Sequence, residues 1–165
     1  MRNLCFVLVL FFGLSGQAPA LTPVDSYIAR HFPAPEMRVL WLTPVLKQRA
    51  EAILGHSYAG LRVRYWQQGG RSVWVLDEIG KEQPITAGFL VEQGRIMDIQ
   101  VLAYRESRGG EVQQAFFTRQ FSGAALTSAD SLNRRVDGIT GATLSVRAME
   151  RMARLALLFD SAKAT

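Results

Sequence analysis

The chain has 165 residues, a formal net charge of +5 and a single cysteine, Cys5. One cysteine excludes a disulfide framework, a thiolate-held iron–sulfur cluster, a Cys-x-x-Cys-His haem attachment and a zinc ribbon, so any redox work needs another group. The arginines are scattered rather than clustered, which fits plain solubility and argues against a nucleic-acid partner.

Residues 1–20 begin Met-Arg-Asn, continue as the apolar run "LCFVLVLFFGL" (Leu4 to Leu14), and end in the small-residue site Ala18-Pro19-Ala20. A basic start, a short apolar stretch and an Ala-x-Ala-like site predict a secretory signal peptide cut near Ala20. The run is short of the roughly 20 residues that a spanning helix needs, and no cysteine stands at the cut for a lipid. The expected product is exported, to the periplasm or the outer face of the cytoplasmic membrane. The remaining residues suit one domain.

Residues 21–40, with "HFPAPEM" at their centre, read as an irregular lead-in arm. Thr43-Pro44 then reads as an N-cap followed by proline at the first helical position, and Leu46, Ala50, Ile53 and Leu54 recur at helical spacing before the stop at Gly55. Four extended segments follow: "LRVRYWQ", "SVWVLDE", "PITAGFLV" and "RIMDIQVLAY", the first and last pairs joined by turns at Gly69-Gly70 and Gln93-Gly94. Each pair predicts a hairpin. In the last segment Met97, Ile99, Val101 and Ala103 alternate with Asp98 and Gln100, which predicts one buried and one wetter face. After the charged "RESRGGEV" comes a short helical piece with Phe116, Phe117 and Phe121, then a loop. Leu144, Ala148, Met152, Leu155 and Phe159 share one stripe of a closing helix from about Ala142 to Phe159. The order predicts an α+β class: a single domain with a central antiparallel sheet flanked by helices.

The chemistry gathers where that last helix begins, in "RVDGITGATLSVRAM" (Arg135 to Met149). A helix start carries unpaired N–H groups and the positive end of the dipole, which favours anions and phosphate esters. Gly141 and Ala142 leave the backbone uncovered there, and Thr143 adds a hydroxyl. A threonine hydroxyl is a poor nucleophile without a base or metal, and the two histidines, His31 and His56, are remote in sequence. A phosphate ester on Thr143 would therefore have to be attached by a separate enzyme. The plain alternative is that Thr140 or Thr143 caps the helix and no ligand is involved.

Asp137-x-x-Thr140-Gly141-Ala142-Thr143-x-Ser145 resembles, at every defined position, the flavinylation motif of the FMN-binding domain found in subunits C and G of the Nqr and Rnf redox pumps and in many exported flavoproteins. The resemblance implies that Thr143 is the residue joined to FMN through a phosphoester bond, installed outside the cytoplasmic membrane by a magnesium-dependent flavin transferase that uses FAD. Upstream, "YRESRGGEV" occupies the place of the family's segment written around Glu-Thr-x-Gly-x-Gly. Glu106 keeps the acid, Ser107 replaces threonine, and Gly109 and Gly110 are adjacent rather than spaced. The resemblance runs from about Leu61 to Phe159 and implies an FMN-binding domain over residues 41–165. Its cofactor-binding residues would be Asp137, Gly138, Thr140, Gly141, Ala142, Thr143, Leu144, Ser145, Glu106, Ser107, Gly109 and Gly110.

The resemblance implies an electron carrier rather than a stand-alone enzyme, with no catalytic residue or metal site of its own. Its partners would be the flavin transferase and a membrane-bound electron donor or acceptor. The alternative is a non-redox exported module holding a phosphate or other anionic ligand without a covalent bond. The tryptophans, with Tyr58, Tyr65 and Tyr104, read as core or sheet-face residues. "DEIGKE" (Asp77 to Glu82) reads as a charged turn, and His56 as a neighbour of the Gly55 cap.

Overall fold

The computed structural model describes residues 20–163; the signal peptide expected over residues 1–20 lies outside them, save for Ala20. The first departure from expectation comes at residues 21–40, which are not an irregular arm. They form helix α1 (Pro23–His31) and strand β1 (Glu36–Trp41). The local cause is a capping box: Thr22 Oγ1 accepts the Asp25 N–H at 3.1 Å, and the Asp25 carboxylate accepts the Thr22 N–H at 3.3 Å. Pro23 sits in the first helical turn, where its missing N–H is no loss. The larger cause is burial. Tyr27, Ile28 and Phe32 pack with Val73, Leu90 and Leu102, and each side chain of this size gains about 1.5–3 kcal/mol on burial.

Helix α2 (Pro44–Leu54) matches its sequence signals, with Thr43 Oγ1 accepting the Leu46 N–H at 3.2 Å and Gly55 as the cap beyond it. Strands β2 (Arg62–Gln68), β3 (Arg71–Ile79), β4 (Pro84–Glu92) and β5 (Arg95–Tyr104) join β1 in an antiparallel five-stranded sheet, ordered β1-β2-β3-β4-β5. The class is α+β, as expected. Residues 110–121 follow as three short helical turns, of which Ala115–Thr118 is α3, and the chain closes with α4 (Thr143–Ala162).

The main core lies between α4 and one sheet face. Trp74 stacks on Tyr65 with ring centroids 4.5 Å apart, and Phe159 stands 6.0 Å from Trp74. Helix α4 runs past Phe159 because its last turn is bonded to the sheet: Asp160 Oδ1 accepts from Ser72 Oγ and from Lys163 Nζ, each at 2.5 Å, while Trp74 Nε1–H donates to Ser72 Oγ at 2.9 Å. Helix α1 covers the opposite face, so the central strands are sandwiched.

Strand β5 breaks the simple alternation expected of it. Its register against β4 shifts between Thr86 and Ala87 and again between Leu90 and Val91, and each bulge re-phases the side chains. Ile96, Ile99 and Leu102 are the buried residues, whereas Met97 is exposed. A period-2 reading cannot anticipate a phase change.

Candidate functional site

One end of the sheet carries the site. There β3 turns into β4 through residues 80–83, β5 ends at Tyr104, and α4 begins at Thr143. The motif is set by two turns. Asp137 N–H donates to Gln120 Oε1 at 2.7 Å, and Ala142 N–H donates to the Ile139 carbonyl at 3.0 Å. Gly141 has φ +82°, a left-handed conformation that L side chains rarely adopt, so the turn into the helix requires glycine here. Ala142 is the N-cap residue, and no side chain caps α4.

That last observation excludes the capping reading. Thr140 and Thr143 are both exposed and neither accepts from the helix's first turn. The positive end of a helix of 20 residues is left open beside the Thr143 hydroxyl. A cleft of about 610 Å³ opens at this point between Lys81 and Glu82 of the β3–β4 turn, Glu106 to Arg108, and residues 141–145. An adjoining hollow of about 540 Å³ runs from Ser107 to Glu111, with Gln114, Thr140 and Gly141 on its other wall. Each is of a size that suits a small-molecule cofactor.

Loop 105–110 is tied to the helix start by Tyr104. Its hydroxyl donates to the Arg108 carbonyl, and Ser145 Oγ lies 3.0 Å away. With the tyrosine proton committed to Arg108, Ser145 is the donor to Tyr104. Ser145 is thereby buried in the frame of the site, where its hydroxyl holds Tyr104. Gly109 fits the same joint: its φ is +83°, and a Cβ there would stand 2.9 Å from Tyr104 Oη and 3.0 Å from Ser145 Oγ.

Glu106 clasps the other wall. Its Oε1 accepts three backbone N–H groups, from Lys81 at 2.5 Å, Glu82 at 2.7 Å and Gln83 at 2.9 Å. Those bonds, led by Gln83 and Glu82, hold its carboxyl below the usual value of 4.5. Arg105 is likewise engaged, donating to the Pro84 carbonyl and to Thr86 Oγ1, each at 3.1 Å. The segment is an organised wall rather than a solvated strand end.

Of the residues singled out in the sequence, Gly141 to Ser145, Glu106 and Ser107 line the cleft, and Thr140, Gly109 and Gly110 line the hollow beside it. Asp137 and Gly138 line neither and lead into the turn. The sequence reading gives no site role to Tyr104, Lys81 or Gln120. Tyr104 and Ser145 are 41 positions apart, and no local pattern announces such a pair.

"DEIGKE" divides into a strand end and a turn. Asp77 accepts from the Thr86 hydroxyl. Glu78, on the opposite sheet face, is buried and holds His56 Nε2 at 3.1 Å and Arg151 Nη1 at 3.3 Å. The His56 Nδ1 also lies 3.1 Å from the Ser57 carbonyl, and these partners, Ser57 first, raise the imidazole above its usual 6.5.

A search of curated proteins finds no significant match. Residues 80–158, from the β3–β4 turn almost to the end of α4, match the family model described as the FMN-binding domain. The match is narrower than the span read from the sequence, leaving β2 and all of β3 ahead of it, yet it contains both walls of the cleft. Over this segment the chain is similar to the FMN-binding domain family, and the match supports flavin binding with FMN as the cofactor.

Proposed function

We propose that the protein is an exported electron-transfer flavoprotein carrying FMN as a phosphoester on Thr143, and that it relays electrons between a membrane redox partner and an acceptor. The observation that carries this reading is the uncapped start of α4, with the exposed Thr143 as its first residue on the wall of a cleft of about 610 Å³. An anion at such a position meets the helix dipole and first-turn amides with no side chain in competition. The residues present thus fit the phosphate end of FMN. When bound, the flavin supplies the electron chemistry, and the protein supplies attachment, position and tuning.

The roles of the surrounding residues follow from their contacts. Gly141 and Ala142 keep bulk away from the phosphate, while Thr143 offers the hydroxyl. Ser145 orients Tyr104 and, through it, the loop wall. Glu106 fixes the β3–β4 turn and so holds Lys81 at the rim of the cleft. Neither His31 nor His56 stands in the cleft wall, which supports attachment by a separate flavin transferase rather than self-modification. The reading can be tested by in-gel flavin fluorescence under denaturing conditions after co-expression with a flavin transferase. Wild type and Thr140→Ala should retain a fluorescent band, the latter at reduced yield, and Thr143→Ala should lose it. A band of equal strength in Thr143→Ala would overturn the assignment.

A further inference from the structure

We propose that the outer face of β1 and β2, at the end of the sheet that bears the cleft, docks on an anionic lipid surface. Met37, Val39 and Trp41 alternate along the edge strand β1 and so share one face, at 54%, 37% and 65% exposure. Directly opposite Val39 and Trp41 in the register stand Arg64 and Arg62, both exposed and in no ion pair among the described residues. Leu61, 69% exposed, is joined to the same corner by the bond from Leu42 N–H to its carbonyl at 3.0 Å. The Arg62 guanidinium lies 5.5 Å over the Trp41 ring. An apolar row led by tryptophan, flanked by two guanidinium groups, is the composition of a surface that sits at a bilayer interface.

Charge and symmetry select this occupant. Val24 of α1 shares a crevice with Arg62 and Arg64 on this face. The crevice sets one acid, Asp77, against the two guanidinium groups, so the local charge is net basic. A second copy paired through this face would crowd Arg62 and Arg64 against their own counterparts, which a symmetric contact penalises.

The consequence is geometric. Trp41, Arg62 and the β3–β4 turn lie at one end of the sheet, because β1 to β4 pair antiparallel in sequence, so docking there brings the flavin cleft close to the bilayer. None of this depends on how FMN is held, and the test reads lipid contact alone. The protein is recovered after export, its N-terminus fixed by intact mass, and mixed with phosphatidylglycerol-containing or purely phosphatidylcholine vesicles, with brominated lipid as quencher. The proposal expects salt-sensitive co-sedimentation with the anionic vesicles and quenching of tryptophan fluorescence. That quenching should largely vanish in Trp41→Phe, and the Arg62→Gln/Arg64→Gln pair should lower affinity by about tenfold or more. Unchanged binding in the arginine pair, undiminished quenching in Trp41→Phe, or a lipid-free dimer that the arginine pair tightens would each overturn it. Unchanged thermal melting of the variants guards against unfolding as the cause.

Discussion

Replacing Gly109 by alanine tests whether the joint between loop 105–110 and α4 is built as described. An alanine held at φ +83° pays about 1–2 kcal/mol for the left-handed conformation. Its Cβ would lie 2.9 Å from Tyr104 Oη and 3.0 Å from Ser145 Oγ. Relieving that contact separates a hydrogen bond with a net worth of about 0.5–1.5 kcal/mol. Together the two effects give about 2–3 kcal/mol, or a melting point lowered by about 5–10 °C for a domain of this size. Thermal and urea denaturation of the flavin-free protein read this directly, and flavin loading reports the damage to the cleft. Tyr104→Phe alone should cost about 1 kcal/mol. Because it also removes the oxygen that the new Cβ meets, the double variant should fall short of the sum by at least about 0.5 kcal/mol. A cost for Gly109→Ala under about 0.5 kcal/mol, or strict additivity, would refute the reasoning.

Three other outcomes follow from contacts at or near the site. Glu106 has a depressed pKa in the folded protein, so its contribution is complete above 4.5 and fades as the pH falls through the folded value; urea midpoints between pH 7 and 3 should fall less steeply in Glu106→Gln than in wild type, and superimposable profiles would count against the clasp. His56 behaves in the opposite sense: its raised pKa contributes fully below 6.5 and is lost as the pH rises through the folded value. Its imidazole proton resonance should titrate above 6.5 in wild type and lower in Glu78→Gln, and an unchanged midpoint would show that Glu78 is not the partner. Ser72→Ala leaves Trp74 Nε1 and Asp160 Oδ1 short of a buried partner and should cost about 1–3 kcal/mol in thermal melts.

What the sequence revealed and what it hid divide by the range of the interactions. Helix α2 was legible because Thr43 and Gly55 act within a few residues of themselves, and the hairpins because their turns are local. The motif at the start of α4 is legible as a helix entrance for the same reason, whereas the left-handed turn at Gly141 comes from the structure. Helix α1 was missed because Pro23, Pro33 and Pro35 were weighed as breakers. Pro23 in fact sits in the first turn of a helix capped by Thr22 and Asp25. The phase of β5 was missed because its bulges answer to β4, not to its own alternation. The clasp by Glu106 and the Tyr104–Ser145 bond were invisible because each spans more than 20 residues, and only the folded sheet end brings their partners together.

The central claim is that Thr143, at the uncapped start of α4, carries the FMN. Intact mass of the protein matured with a flavin transferase, followed by fragment mapping of the peptide that contains residues 135–147, tests it most directly. The account predicts one FMN phosphoester mass, placed on Thr143, present in Thr140→Ala and absent from Thr143→Ala. An unmodified wild-type mass, or the same added mass on Thr140 or in the Thr143→Ala protein, would contradict it.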